Sequence, residues 1–168
     1  DSIFPSASLT KNLEGKIMTE FGLLQRKGII AFTDGLKTIQ NSLLMSRIMR
    51  SAGDLDALIM QHAEDYNLSK NGIVNNSIVA TKLGLPGIPD ISEKIIIERD
   101  LTLLNEYSCR YHISQISSRK SIEVIERNRQ ELNFTAGVSI NNLSLNENDI
   151  GDFRTFLKLS PPLRSEQD

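Results

Sequence analysis

The chain has 168 residues, 39% of them hydrophobic, and 19 Lys and Arg against 21 Asp and Glu give a formal charge of −2. That is enough for one domain with a core, and nothing in the composition demands disorder or fibres. The basic residues are dispersed and form no stripe for neutralising phosphates, which argues against nucleic acid as a partner. No apolar run approaches the roughly 20 residues of a spanning helix. The opening Asp1-Ser2-Ile3-Phe4-Pro5 lacks the basic and apolar regions of a secretory signal, so a cytoplasmic protein without a membrane role is expected. The single cysteine, Cys109, can form no internal disulfide and reads as a buried structural residue.

In chain order, strand-like runs cover Ile3–Leu9, Gly28–Asp34, Ala57–His62, Tyr111–Ser117 and Phe134–Asn141. Between the first two, Glu14 to Lys27 has helical spacing, with Ile17, Phe21 and Leu24 at i, i+4 and i+7 and Gly28 at the expected helix end. Thr38 to Ala52 repeats the pattern with Ile39, Leu43 and Ile48, and Gly53 is the expected stop. The Pro and Gly punctuation of Gly84-Leu85-Pro86-Gly87-Ile88-Pro89 predicts an ordered loop between a short helix and a long one. Asp90-Ile91-Ser92-Glu93 has the form of a capping box opening that long helix, which is expected to reach about Tyr107. Ser118 is the expected cap of the next helix, with Ile122, Ile125 and Leu132 on its periodic positions.

Strands separated by helices imply parallel pairing, because a parallel return needs a long crossover. An open nucleotide-binding sheet would carry a Gly-rich phosphate turn, and neither G-x-G-x-x-G nor a P-loop occurs. The expected fold class is therefore α/β, with barrel geometry. Such barrels place their chemistry at the carboxyl ends of the strands, where Asp34, His62, Ser117 and Asn141 fall. The rhythm stops after about five of the eight repeats of a complete barrel. The chain also begins on Asp, with its second element inside ten residues. Residues 1–168 are thus read as a single incomplete barrel domain, a piece of a larger enzyme fold.

Several motifs then occur in a specific order: Phe32-Thr33-Asp34-Gly35, His62-Ala63-Glu64-Asp65, Gly84-Leu85-Pro86, Tyr111-His112 through Ser117, Gly137-Val138 with Asn146–Gly151, and Lys158–Arg164. In this order the chain resembles the bacterial class I dihydroorotases, and especially their alphaproteobacterial branch, over essentially its whole length. The resemblance implies a partial TIM-type (β/α)8 barrel, roughly strands 3 to 7. It also implies a zinc-dependent amidohydrolase that interconverts N-carbamoyl-L-aspartate and L-dihydroorotate in pyrimidine synthesis. Two zinc ions would activate a bridging hydroxide and polarise the amide carbonyl. The family's first-strand H-x-H pair and its eighth-strand Asp, a metal ligand and proton shuttle, have no counterpart in these residues, so no catalytic residue is assigned within them.

On that resemblance His62 and Asp34 are the metal candidates, and Ser160 and Asn141 the substrate-binding candidates. His62 matches the metal-binding His of the family's H-x-E-D motif. Gln115 stands where the family has the second His of Y-H-x-x-H, and is a degenerate metal position. His112 is expected to face the surrounding helices if Gln115 points inward, since residues three apart on a strand face opposite sides. Gly35 falls on the second of two aspartates that active relatives show, and Ser160 on the Asn of N-P-P-L-R. Lys158 and Arg164 read as exposed basic residues near a loop. With only two histidines, the chain cannot build a two-zinc site alone.

Two readings follow. One is part of a dihydroorotase; the other is a non-catalytic dihydroorotase-like subunit that associates with aspartate carbamoyltransferase, motivated by Gln115, Gly35 and Ser160. A hydantoinase-type amidohydrolase fits less well, because those enzymes usually bridge their metals through a carbamylated Lys where Asp34 stands. A five-strand arc has two unpaired edges, so self-association as a homo-oligomer is also expected.

Overall fold

The computed structural model describes residues 3–168. Its strands in chain order are β1 (Ser6–Ala7), β2 (Ala31–Phe32), β3 (Leu58–Gln61), β4 (Val74–Asn75), β5 (Gly87–Ile88), β6 (Arg110–Ile116) and β7 (Phe134–Val138). The helices are α1 (Phe21–Gln25), α2 (Ser42–Asp54), α3 (Tyr66–Ser69), α4 (Ile78–Leu83), α5 (Ile91–Tyr107), α6 (Arg119–Asn128) and α7 (Ile140–Ser144). One sheet runs β1-β2-β3-β6-β7, parallel throughout. Neighbours in this sheet follow chain order, as in a barrel wall, without the reversal of an open doubly wound sheet. The fold is a partial TIM-type α/β barrel, and each of the five expected strands is present, β6 at its full length and the other four shorter than their expected runs.

One face of the sheet is closed by α2 and α5. Leu44, Met45, Ile48, Met49 and Ala52 form the buried stripe of α2, and pack with Phe32, Ile59 and Ile113 from the strands and Ile97 and Leu101 from α5. Each fully buried side chain of this size contributes about 1.5–3 kcal/mol. Leu43 lies outside that stripe and is exposed, contrary to expectation. Asn41 caps α2 through its side chain, which accepts from Leu44 N at 2.9 Å.

The long helix expected over Glu14–Lys27 is absent, and only the five residues of α1 are α-helical. Thr10 and Met18 instead form an antiparallel bridge, Gly15 takes φ +65°, and Ile17 is exposed. A residue at positive φ interrupts a right-handed helix, and the Thr10 hydroxyl accepts from Gly15 N at 2.9 Å, fixing the loop. Phe21 still stacks on Phe32, with ring centroids 4.0 Å apart.

The segment expected to be a loop around Gly87 contains β5, which pairs in parallel with β4. A Cβ built on Gly87 would lie 2.5 Å from Asn76 Cα, so only glycine allows this approach. Helix α5 ends at Tyr107 as expected, but the capping box at its start does not form: Asp90 makes no cap hydrogen bond and pairs with Lys120 at 3.0 Å. The Ser118 cap of α6 does form, accepting from Ser121 N. Of the expected periodic residues, Ile125 and, beyond the helix end, Leu132 pack partly buried against the core, whereas Ile122 is exposed and Val124 is the buried apolar residue of α6.

Candidate functional site

The carboxyl edge of β3 is held by hydrogen bonds from the neighbouring loop. Thr38 Oγ1 donates to His62 O at 2.6 Å and accepts from Glu64 N at 3.0 Å. Gln40 Nε2 donates to Glu64 O, while its Oε1 accepts from Tyr66 N. Behind them, buried Gln61 accepts from Ile39 N at 3.0 Å and donates to Asp100 at 2.5 Å. These bonds join the segment after β2 to the segment after β3, and so fix the position of His62.

His62 is 1% exposed. Its Nε2 lies 3.1 Å from Glu64 Oε2 and 3.5 Å from Ser160 Oγ, a residue 98 positions later. Ser160 Oγ is also 3.5 Å from Glu64 Oε2. With Nε2–H directed at the Glu64 carboxylate, a neutral His62 carries its lone pair on Nδ1, which is buried and has no hydrogen-bond partner. The bond from His62 holds the Glu64 carboxyl below its ordinary range, against the opposing cost of burial. Glu64 borders a cavity of about 430 Å³ that Asp34, Lys37, Thr38 and Gln40 also line.

Asp34 is 3% exposed, and both of its oxygens accept from Thr10: Oδ1 takes Thr10 N at 3.0 Å and Oδ2 takes the Thr10 hydroxyl. It therefore ties the end of β2 to the loop after β1. Gly35 beside it takes φ +67°, with nothing within 4 Å of a built Cβ.

Gln115 lies near the end of β6, the neighbour of β3. Its Oε1 is buried and unpartnered. Tyr111 and Ile113 pack towards the helices, with the Tyr111 hydroxyl on Asp100 at 2.6 Å. His112, between them, turns the other way and reaches Thr135 Oγ1 of β7 at 2.7 Å, so the expectation that it faces the helices is corrected. A register shift between Ile113 and Ile116 breaks strict alternation, and the argument that opposed His112 to Gln115 does not carry across it.

Asn141 is exposed on α7, because Ser139 ends the strand and caps that helix. Its neighbour Asn142 is the one that reaches the later segment, donating to Pro162 O at 3.1 Å. Arg164, expected to be exposed, is 4% exposed and donates to Ser117 Oγ, Asn75 Oδ1 and Ile88 O. Burial pulls its guanidinium pKa down, and the nearby Glu93 and Asp90 oppose that shift. Lys158 is exposed as expected. The structure thus brings His62, Glu64 and Ser160 together and leaves Asn141 apart. Asp34 lines the same cavity as Glu64 but is directed at Thr10.

A parallel arc with polar side chains gathered at its carboxyl edge is a segment of a TIM-type barrel, with its candidate chemistry at the end where such barrels carry it. In fold the chain is similar to the L-hydantoinase of Arthrobacter aurescens, with a TM-score of 0.74 and 18% identity over 95% of this chain and 37% of that one. It is likewise similar to the D-hydantoinase of Bacillus sp. AR9, with a TM-score of 0.68 and 19% identity over 87% of this chain and 34% of that one. Its sequence is closer to another group. Residues 2–121 match the sequence pattern of the Dihydro-orotase-like family, and the chain belongs to that family. It is 39% identical to the dihydroorotase of Syntrophus aciditrophicus over 167 residues, 99% of this chain and 39% of that protein. It is 41% identical to the dihydroorotase of Ehrlichia canis over 164 residues, 96% of this chain and 36% of that protein. The chain therefore spans well under half the length of these relatives. Among the described residues no helix is long and apolar enough to cross a membrane.

Proposed function

We propose that the polypeptide carrying these residues is a dihydroorotase-type cyclic amidohydrolase that interconverts N-carbamoyl-L-aspartate and L-dihydroorotate. The observation that supports this most directly is the meeting of His62, Glu64 and Ser160 at the carboxyl edge of the arc, from motifs 98 residues apart in the order the family has them. In this reading residues 1–168 are one part of a barrel domain, in a cytoplasmic protein, and other parts of the same polypeptide supply the catalytic acid and base. His62 is the metal-binding candidate through Nδ1, and Glu64 fixes its tautomer, as an outer carboxylate does for many metal-bound imidazoles. Ser160 offers a hydroxyl to the substrate, with less reach than an amide side chain. Asn141 is exposed and Asp34 is held by Thr10, so either would have to turn towards the ligand to take part. Zinc would supply carbonyl polarisation and a nucleophilic hydroxide, but the donors of this segment do not fit two zinc ions.

A second reading is a non-catalytic subunit that associates with aspartate carbamoyltransferase. Gln115 favours it, since a buried amide oxygen without a partner takes the place of an imidazole. The deciding experiment is an assay of the full polypeptide, with added zinc, for ring opening of L-dihydroorotate and closure of N-carbamoyl-L-aspartate. Turnover lost in His62→Ala supports the enzyme. A protein without turnover that co-elutes with aspartate carbamoyltransferase supports the second reading.

A further inference from the structure

We propose that these residues do not assemble a two-zinc centre, and that the polypeptide carrying them holds fewer than two zinc ions per chain; this rests on the dihydroorotase reading. A two-ion site needs several imidazoles and carboxylates converging on one place, one of them bridging. Here the carboxyl edge offers one imidazole, His62, and its Nε2 is already turned to Glu64 and Ser160, which leaves Nδ1 as its single free donor atom. The position on the neighbouring strand carries Gln115, whose amide oxygen is neutral and a weaker zinc donor than imidazole nitrogen or thiolate. Asp34 cannot replace a bridging carboxylate without releasing both bonds to Thr10, and Gly35 has no side chain to offer. His112 is spent on Thr135 through Nδ1 and stands opposite Met60, two residues before the level of His62. Among the described residues no group of three or more His, Cys, Asp and Glu is arranged to hold a metal ion.

The deficit has an address. The built Cβ at Gly35 meets open space, so Gly35→Asp is limited only by its positive φ, which Asp tolerates better than most residues. Gln115→His supplies an imidazole on the strand beside His62. Altering even the groups that orient a zinc ligand moves metal affinity about 10–100-fold, so supplying a ligand raises it by at least about tenfold.

The test is elemental analysis of the full polypeptide, purified without chelator from zinc-supplemented cells, with calorimetric zinc titration of the metal-stripped protein. Zero or one equivalent of zinc in the natural protein, with at least about tenfold tighter binding in Gln115→His or Gly35→Asp/Gln115→His, is the expected result. Two equivalents in the natural protein overturn the proposal, even if the variants fail to fold. The same preparations, assayed with L-dihydroorotate, separate this inference from the functional reading. Turnover with fewer than two ions sustains both. Two ions without turnover overturn the inference and the enzyme reading together, and fewer than two without turnover overturns the enzyme reading alone.

Discussion

Glu93, in the first turn of α5, holds the end of β6 through Ser117: Oε1 accepts from Ser117 N at 3.0 Å and Oε2 from Ser117 Oγ at 2.5 Å. Oε1 also accepts from Ser118 N at 3.2 Å and from the Ser118 hydroxyl. One buried carboxylate thus satisfies the backbone where β6 passes into α6. It also faces buried Arg164, which donates to the same Ser117 hydroxyl. Glu93→Ala leaves two buried N–H groups and part of the Arg164 charge uncompensated, at a cost of about 2–4 kcal/mol. Glu93→Gln keeps one accepting oxygen and costs about half as much. Urea unfolding midpoints of the two variants check this; equal midpoints for Glu93→Ala and the natural protein count against it.

Gly53 lies inside α2, one residue before its end, and its glycine is required by its neighbours. A built Cβ would stand 2.8 Å from Tyr107 O, 3.7 Å from Ser108 O and 4.0 Å from Cys109 Cβ. Alanine gains at most about 1 kcal/mol of helix propensity over glycine. Forcing a methyl against backbone costs about 1–3 kcal/mol, and the close atom is a carbonyl that cannot turn away. Gly53→Ala is therefore expected to destabilise, by up to about 2 kcal/mol. Thermal unfolding decides the sign, and a raised midpoint would show that the ends of α2 and α5 move apart at little cost.

The strands were legible in the sequence because short apolar-rich runs alternate with helical stretches and turn signals, even though only β2 of the main sheet is buried throughout and β3 and β6 alternate buried with partly exposed residues. Helix α2 was legible only in part: of Ile39, Leu43 and Ile48, only Ile48 falls on its buried stripe, while Leu43 is exposed and Ile39 is buried ahead of the helix. What failed were local signals overruled by distant partners. Glu93 reads as a capping-box acid until Ser117 and Ser118, 24 and 25 residues on, take its oxygens. Glu14–Lys27 reads as a helix until Asp34 captures Thr10 and the chain turns at Gly15. The Ser160–His62 contact spans 98 residues with no periodicity linking its ends, and the order of family motifs was the only sign of it. Asn142 and Asn141 look alike in sequence, and only the placement of α7 separates them.

Asp100 is fully buried on α5, with Tyr111, Gln61 and Arg99 donating to it. Burial raises its carboxyl pKa and outweighs the lowering by Arg99. An acid raised in the folded state contributes stability that is fully present below its unfolded value, about 3.9, and is lost as pH rises through the folded value. Asp100→Asn removes that titration. The stability of the natural protein minus that of Asp100→Asn is thus expected to fall as pH rises from about 3.9. Urea midpoints of both proteins across this window provide the check. A difference that grows with pH would mean that Arg99 outweighs burial.

Cys109 sits between α5 and β6, 6% exposed, and burial raises its thiol pKa to about 11. An unperturbed thiol near 8.5 is about a quarter thiolate at pH 8, whereas this one is roughly one part in a thousand. Since the thiolate is the reacting species, labelling by a disulfide reagent at pH 8 is expected to be at least about a hundredfold slower in the folded protein than in urea, before lost access is counted. The labelling rate then tracks opening of the α5–β6 junction and rises in Gly53→Ala, whose added methyl presses on Tyr107 O. Labelling of the folded natural protein within about tenfold of the unfolded rate would show that this junction opens readily, and that Cys109 is not held in the core.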